Sequence, residues 1–331
     1  MKLVVTIDTE EDNWARYSAT DNPVKNIERI PELQRLFDEF EVRPTYLVTY
    51  PVATTQRSVD TLKRILEQGK CEIGMHCHPW NTPPFDEKAV ITERDTMLCN
   101  LPKAVVHEKM TVLHEAIIKN FGIVPVSFRA GRWGFGQAVA RSLCLLKYRV
   151  DTSVTPFTNW EESQGPDFFK FRPDIFRFNS GGLEDKNATG PVLEVPVTIG
   201  FLQTNFRISQ KLLKLMDKNL ARKMHLPGIL YRLRLLNLKW LSPEMSDADL
   251  MVMLAHRMYK NNYSYLNMTF HSTSLLGGLS SFVGKGEESI FLERIRKFLE
   301  YCMKSGWTTY TLSQFENNVS ISDKLNFPEL N

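Results

Sequence analysis

Short apolar runs rich in branched residues recur along the chain. Most are followed by a longer segment whose apolar residues fall at helical spacing. LVVTID (3–8), PTYLVTY (44–50), CEIGMHCH (71–78), VSFRAG (126–131), YRVDTSV (148–154), VLEVPVTIG (192–200) and YLNMTFHS (265–272) read as strands. Between them, 25–40 places Ile27, Ile30, Leu33, Leu36, Phe37 and Phe40 on one face. Segments 59–68, 103–120, 137–147 and 287–304 are further helices, and Gly69 closes the first of these. The Pro- and Gly-rich stretch before 192 predicts a small hairpin. Repeated strand–helix units predict an α/β fold with a parallel sheet. About seven such units in 331 residues favour a closed (β/α) barrel over a doubly wound sheet. The expected organisation is one domain over 1–331, with a mostly helical insertion at about 201–262 between the last strands.

The pattern also shows where polar residues interrupt it. Asp8 ends the first run, His76 and His78 end the third, Arg129 lies in the fourth, Asp151 in the fifth and His271 in the last. Reactive groups of such barrels gather at the C-terminal ends of the strands, so these side chains are expected to converge on one mouth. In an extended segment residues i and i+2 share a side. His76 and His78 can then face one ion while Cys77 turns inward as a small buried hydrophobe. Two imidazoles, one carboxylate and an open position are a common plan for catalytic zinc. The acidic run Glu10, Glu11, Asp12 stands at the end of the first strand, and at least one of its members is expected to serve the site.

Composition narrows the function classes. With 43% hydrophobic and 24% charged residues the chain can bury a sizeable core, and a formal charge of +3 gives no argument for nucleic acid as a partner. The five cysteines are odd in number and scattered, without a CxxC, which fits reduced thiols. The first residues run straight into a strand and no run reaches the length of a membrane span. The expected location is the cytoplasm.

Five pieces of the sequence, in order, resemble the polysaccharide deacetylases, the carbohydrate esterase family 4 or NodB-like group. They are TIDTEEDNW (6–14), EIGMHCHPW (72–80), SFRAGRWGFG (127–136), YRVDTSV (148–154) and LNMTFHS (266–272). The chain looks most like the cytoplasmic, WalW-like branch encoded in lipopolysaccharide and O-antigen gene clusters. The resemblance implies a distorted (β/α) barrel, one divalent metal that is usually zinc, and removal of an N-acetyl group from an acetamido sugar. It implies Asp8 as general base, Arg129 as the residue that orients it and His271 as general acid. Two histidines, here His76 and His78, and one acid would hold the metal. A backbone amide near Arg132 or Trp133 would help hold the oxyanion. Two departures concern the metal shell. The usual Asp-Asp is Asp8-Thr9, which shifts the carboxylate ligand to Glu10, or else Glu11 or Asp12. The usual His-x-x-x-His is His76-x-His78. Competing expectations are another amidase on the same barrel, acting on a formyl or ureide group, and an inactive sugar-binding protein.

Substrate contacts are expected from Trp80, Trp133 and Arg132. Asp151 is expected to touch substrate or to tether His271 or Arg129, or else to cap a helix or turn. Trp14 and Trp160 also lie next to these motifs but are not assigned stacking roles. The substrate would be an acetamido sugar carried as a nucleotide sugar or a lipid-linked glycan. Residues 207–239 carry nine cations against the single acid Asp217, interleaved with leucines. That pattern suits a solvated basic face whose leucines pack on the barrel, peripheral contact with an anionic membrane, or recruitment of a phosphate-bearing substrate.

Overall fold

The computed structural model describes residues 1–13, 16–85, 90–186, 189–216 and 236–319. Its centre is a run of parallel strands. They are β1 (Lys2–Thr9), β2 (Thr45–Val48), β3 (Glu72–Cys77), β4 (Ser127–Ala130) and β5 (Val150–Asp151). Next come the hairpin β6 (Phe176–Asn179) and β7 (Gly182–Lys186), then β8 (Val192–Glu194). A two-stranded ribbon pairs β9 (Ile199–Phe201) with β10 (Leu238–Trp240), and β11 (Tyr265–His271) and β12 (Thr308–Tyr310) complete the set. The sheet order is β11-β1-β2-β3-β4-β5-β8-β6-β7, with β12 alongside the start of β1. From β11 to β8 every pairing is parallel; β6 and β7 are antiparallel.

The result is a curled half barrel, so the predicted fold class holds while full closure does not. VLEVPVTIG is the reason. It reads as one strand, but Pro196 has no N–H to give a ladder. β8 therefore ends at Glu194, and the chain resumes at Ile199 in a different sheet. The seam beside β11 is bridged instead by Asn267. Its N–H donates to Thr198 Oγ1 at 2.8 Å, its carbonyl accepts from Thr198 N at 3.1 Å, and its amide Nδ2 donates to the Val195 carbonyl at 3.2 Å.

Helices α1 (Ile30–Glu39), α2 (Tyr50–Thr54), α3 (Gln56–Glu67), α4 (Lys103–Phe121) and α5 (Gln137–Leu145) follow successive strands. Their apolar stripes seal the outer face of the sheet; Ile30, Leu33, Leu62, Met110, Leu113 and Val139 are fully buried. Both faces of the central strands are covered, which is why β1 reads as an almost unbroken apolar run. Gly74 is needed in β3, since a Cβ there would lie 2.8 Å from the Ser127 carbonyl oxygen and 2.7 Å from Leu47. Segment 201–262 holds α6 (Phe206–Met216), β10 and α7 (Ala248–Lys260). α7 packs on α8 (Glu288–Lys304) and leads into β11 like the other crossover helices. The last helix is α9 (Leu312–Asn318), closed by a capping box between Thr311 and Gln314. The basic stretch 207–239 lies largely outside the described residues, as does Trp14. No described helix is long and apolar enough to cross a membrane.

Candidate active site

The C-terminal strand ends surround a cavity of about 390 Å3. His76, at the end of β3, and His78, one residue beyond that strand, point to the same side, as strand alternation requires. Their Nε2 atoms stand 3.0 Å apart. Glu10 Oε2 lies 3.5 Å from His78 Nε2 and 3.9 Å from His76 Nε2. All three side chains are buried. Gly131, just past β4, makes this packing feasible, since a Cβ there would fall 2.5 Å from His78 Cδ2 and 2.6 Å from the Cys77 carbonyl oxygen.

The three neighbouring acids divide three ways. Glu10 faces the imidazoles. Glu11 accepts from His78 Nδ1 at 3.0 Å and from Thr49 Oγ1 at 3.1 Å. Asp12 accepts from the backbone N–H groups of Lys25 and Asn26 at 2.9 and 3.0 Å, which fastens the loop after β1 to the start of the next helical turn. The backbone of Glu10 is itself pinned, by Ser272 Oγ at its N–H and by Asn26 Nδ2 at its carbonyl.

These bonds test whether a metal suits the site. His76 donates Nδ1–H to the Arg129 carbonyl at 3.1 Å, and His78 donates Nδ1–H to the Glu11 carboxylate. With its proton on Nδ1, His76 turns an Nε2 lone pair toward His78 Nε2 at 3.0 Å. Burial would lower the His78 imidazole, but the carboxylates of Glu11 and Glu10 outweigh it and raise it, so that with no cation present a proton on His78 Nε2 bridges the two rings. A divalent cation would replace that proton and take both lone pairs, and an outer acceptor on each ring is the usual setting of metal-bound histidine. Two imidazole nitrogens and a carboxylate form a donor set suited to zinc and similar divalent ions. The residues fit.

Asp8 sits beside this trio. Its Oδ1 accepts from Arg129 Nη1 at 2.5 Å, while Oδ2 looks toward His271 Nε2 at 3.7 Å and His76 Nε2 at 3.9 Å. Burial alone would raise the Asp8 carboxyl, but the cation of Arg129, helped by His76 and His271, outweighs it and brings it down to about 2. Arg129 is fully buried and gives every arm a partner: Thr152 O at 3.0 Å, Thr269 Oγ1 at 2.9 Å and Thr6 Oγ1 at 2.7 Å besides Asp8. The Trp133 ring covers it at 5.1 Å.

His271 reaches the cavity from the end of β11. Its tether is Glu244, which sequence reasoning missed. Glu244 accepts from His271 Nδ1 at 3.0 Å, from the His271 backbone N–H at 2.9 Å and from Ser274 Oγ at 2.5 Å. Burial would lower the imidazole; Glu244 and Glu10 outweigh it and raise it to about 10. Burial carries the Glu10 carboxyl up to about 8 and pushes His76 down to about 3. The floor therefore sets an ionised carboxylate and a protonated imidazole side by side, next to Glu10, His76 and His78.

Asp151 is the expectation that the structure corrects. It is fully buried, away from the cavity lining, and partners neither His271 nor Arg129 through a hydrogen bond. It accepts from Ser153 Oγ at 2.7 Å and hydrogen-bonds the carboxyl of Glu194, its neighbour across β5 and β8. Asp151 Oδ2 and Glu194 Oε2 are both buried without another partner, so one proton held between the carboxyls satisfies the pair. Burial raises both, Asp151 to about 6 and Glu194 well above its usual range. The folded protein thus holds a proton that the unfolded chain has released above roughly pH 4–5, and stability falls as pH climbs through the folded values. Glu194→Gln keeps a donor to Asp151 but removes the titrating proton. We expect the variant to lose roughly 1–3 kcal/mol less stability than wild type between pH 5 and pH 9. Urea melts at the two pH values check this, and parallel losses would show that the pair holds no such proton.

The remaining sequence candidates reach the cavity in different ways. Trp80 is mostly buried and stacks on His78 at 4.0 Å, so it supports that imidazole as well as lining the cavity. Arg132 and Trp133 both adopt left-handed backbone, with φ of 51° and 60°. Strain of this kind in non-glycine residues gathers at functional sites. Arg132 places its guanidinium at the cavity edge, bonded to Thr96 and to Glu93 at 3.0 Å. Trp160 and the unforeseen Trp240 also line the cavity.

Neither a protein-family model nor a curated protein sequence matches the chain. Solved structures do match. A protein from Mycobacterium smegmatis described as a polysaccharide deacetylase is 15% identical, with a TM-score of 0.57 over 99% of this chain and 94% of that one. One from Pseudomonas aeruginosa PAO1, also described as a polysaccharide deacetylase, is 12% identical, with a TM-score of 0.51 over 96% and 89%. A 4-alpha-glucanotransferase from Thermococcus litoralis is 9% identical, with a TM-score of 0.52 over 97% of this chain and 40% of its own. One fold thus carries more than one chemistry, and function has to be argued from the site. In architecture, a curled half barrel of parallel strands with its polar residues at the C-terminal strand ends, the chain has the NodB-like polysaccharide deacetylase fold.

Proposed function

We propose that the protein is a metal-dependent hydrolase that removes the N-acetyl group from an acetamido sugar. The observation that carries this reading is the cavity floor. Asp8 and His271, held in opposite protonation states, flank the convergent Nε2 atoms of His76 and His78 and the carboxylate of Glu10. His76, His78 and Glu10 would hold one divalent ion. When bound, that ion supplies Lewis acidity to the amide carbonyl and to the attacking water. Asp8 accepts the water proton, and Arg129 fixes the carboxylate so that Oδ2 is the free face. The amine of a split amide cannot depart as an anion, and His271 supplies its proton from Nε2 while Glu244 holds Nδ1. The left-handed turn at Arg132 and Trp133 supplies backbone N–H groups for the oxyanion. The similarity of the Mycobacterium smegmatis and Pseudomonas aeruginosa structures supports the same reading.

The substrate fits cell-surface glycan synthesis, as a nucleotide-linked or lipid-linked acetamido sugar met in the cytoplasm or at the inner membrane face. The basic stretch 207–239 supplies the charge for phosphate or anionic lipid. Metal analysis and acetate release test the core of the proposal. The purified protein should carry about one divalent ion per chain, and chelation should abolish acetate release until a divalent salt is restored. His76→Ala should lower both metal content and acetate release by at least about tenfold. Full metal content in His76→Ala would place the ion elsewhere, and release of formate without acetate from matched sugars would favour a deformylase.

A further inference from the structure

Among the described residues, seven aromatic residues line the cavity; Phe270 lies within β11 and packs on Phe291, and the other six stand in the loops and the ribbon above the charged floor. Tyr17 follows β1, Trp80 follows β3, Trp133 follows β4, Trp160 lies beyond β5, Trp240 ends β10 and Phe282 lies beyond β11. In sheet order these are the loops of every strand from β11 to β5 except β2, with the ribbon added. The rings also brace one another. Trp240 packs on Trp133 at 5.8 Å and on Trp160 at 6.5 Å, Tyr17 meets Trp80 edge-on at 5.0 Å, and Phe282 lies parallel to the His271 ring at 5.8 Å. A through-running polymer needs an entry and an exit at floor level. Here braced aromatic walls from the loops of five strands and from the ribbon line a half-open space of about 390 Å3, which is at the small end for ligand pockets. Such walls present flat apolar faces to the C–H faces of a pyranose, while the acetamido group alone descends to the floor.

We propose that this cavity is a blind pocket for a single terminal acetamido sugar, so that the enzyme acts at a glycan end or on a one-sugar conjugate and not on internal units of a polymer. The proposal rests on the deacetylase reading for its chemistry, but its geometry can be tested by binding alone. The probes are free N-acetylhexosamines and chitin oligosaccharides from di- to hexasaccharide. Their binding is measured by calorimetry on the metal-loaded Asp8→Asn protein, and the freed amines are located by mass spectrometry after reaction with wild type.

Affinity should change by less than about threefold from disaccharide to hexasaccharide, and the free amine should appear on one terminal unit only. Trp240→Ala and Trp160→Ala should each weaken monosaccharide binding, by up to about tenfold. Affinity that climbs tenfold or more with length, free amines on internal units, or no binding by any member of the series would each overturn the pocket proposal. Length-independent binding with no acetate released would leave the pocket standing and remove the deacetylase reading.

Discussion

Asp8→Asn should lower turnover on an acetamido sugar by at least about 10²-fold while the divalent ion stays bound. The carboxylate of Asp8 is positioned through Oδ1 by Arg129 and offers Oδ2 to the space between His76 and His271. An amide at that position retains an acceptor for Arg129 but cannot take a proton from water. Because Glu10, His76 and His78 are untouched, metal content is the control. Loss of the ion would mean that Asp8 is a ligand and that the base lies elsewhere. Unchanged turnover with the ion in place would remove Asp8 from the chemistry altogether. The substitution also carries a stability cost. Arg129 is completely buried, and breaking a buried ion pair on one side costs about 3–5 kcal/mol when nothing replaces the partner. Asn spares part of this through its oxygen, whereas Asp8→Ala would leave the guanidinium charge with threonine oxygens and one carbonyl. Turnover is therefore to be compared at temperatures where the Asn variant is folded by circular dichroism.

The residues on regular strands were the legible part of this site. Period-two alternation is enough to put His76 and His78 on one side, and the strand-end rule is enough to bring Asp8 and His271 to the same mouth. The three-way choice among Glu10, Glu11 and Asp12 was not legible. It depends on how the chain turns after Thr9, and that turn is set by bonds to Asn26, Lys25, Thr49 and Ser272, all distant in sequence. Glu244 was hidden for a similar reason. It sits in the short SPEM turn after β10, with no periodicity to mark its direction, and meets His271 from 27 residues upstream. Glu194 did leave a signal. A carboxylate inside VLEVPV has no apolar explanation, and a buried acid needs a partner. Asp151, on the adjacent strand, was available for that role, and placing it with the substrate, His271 or Arg129 overlooked it. The open sheet was likewise written in Pro196, in the middle of what read as a strand.

Glu244 and His271 give the second large effect. His271→Ala removes the group that protonates the leaving amine and should lower turnover by at least about 10²-fold with metal retained. Glu244→Gln should lower it by about 10–100-fold with little change in KM, because the carboxylate, although at the cavity wall, has both oxygens engaged by His271 and Ser274. The two roles of Glu244 separate by pH. Glu244 heads the influences that raise His271 against the opposing effect of burial. A general acid works only while protonated, so activity falls as pH rises through its pKa. Without the Glu244 charge the imidazole loses its proton at lower pH, and the alkaline limb of the turnover profile should move down. A glutamine that merely loosened the ring would reduce turnover evenly across pH and leave the limb in place. A limb that stays put while turnover falls would assign Glu244 to orientation alone. Full activity in Glu244→Gln would show that His271 needs no tether. Full activity in His271→Ala would place the proton donor on another group.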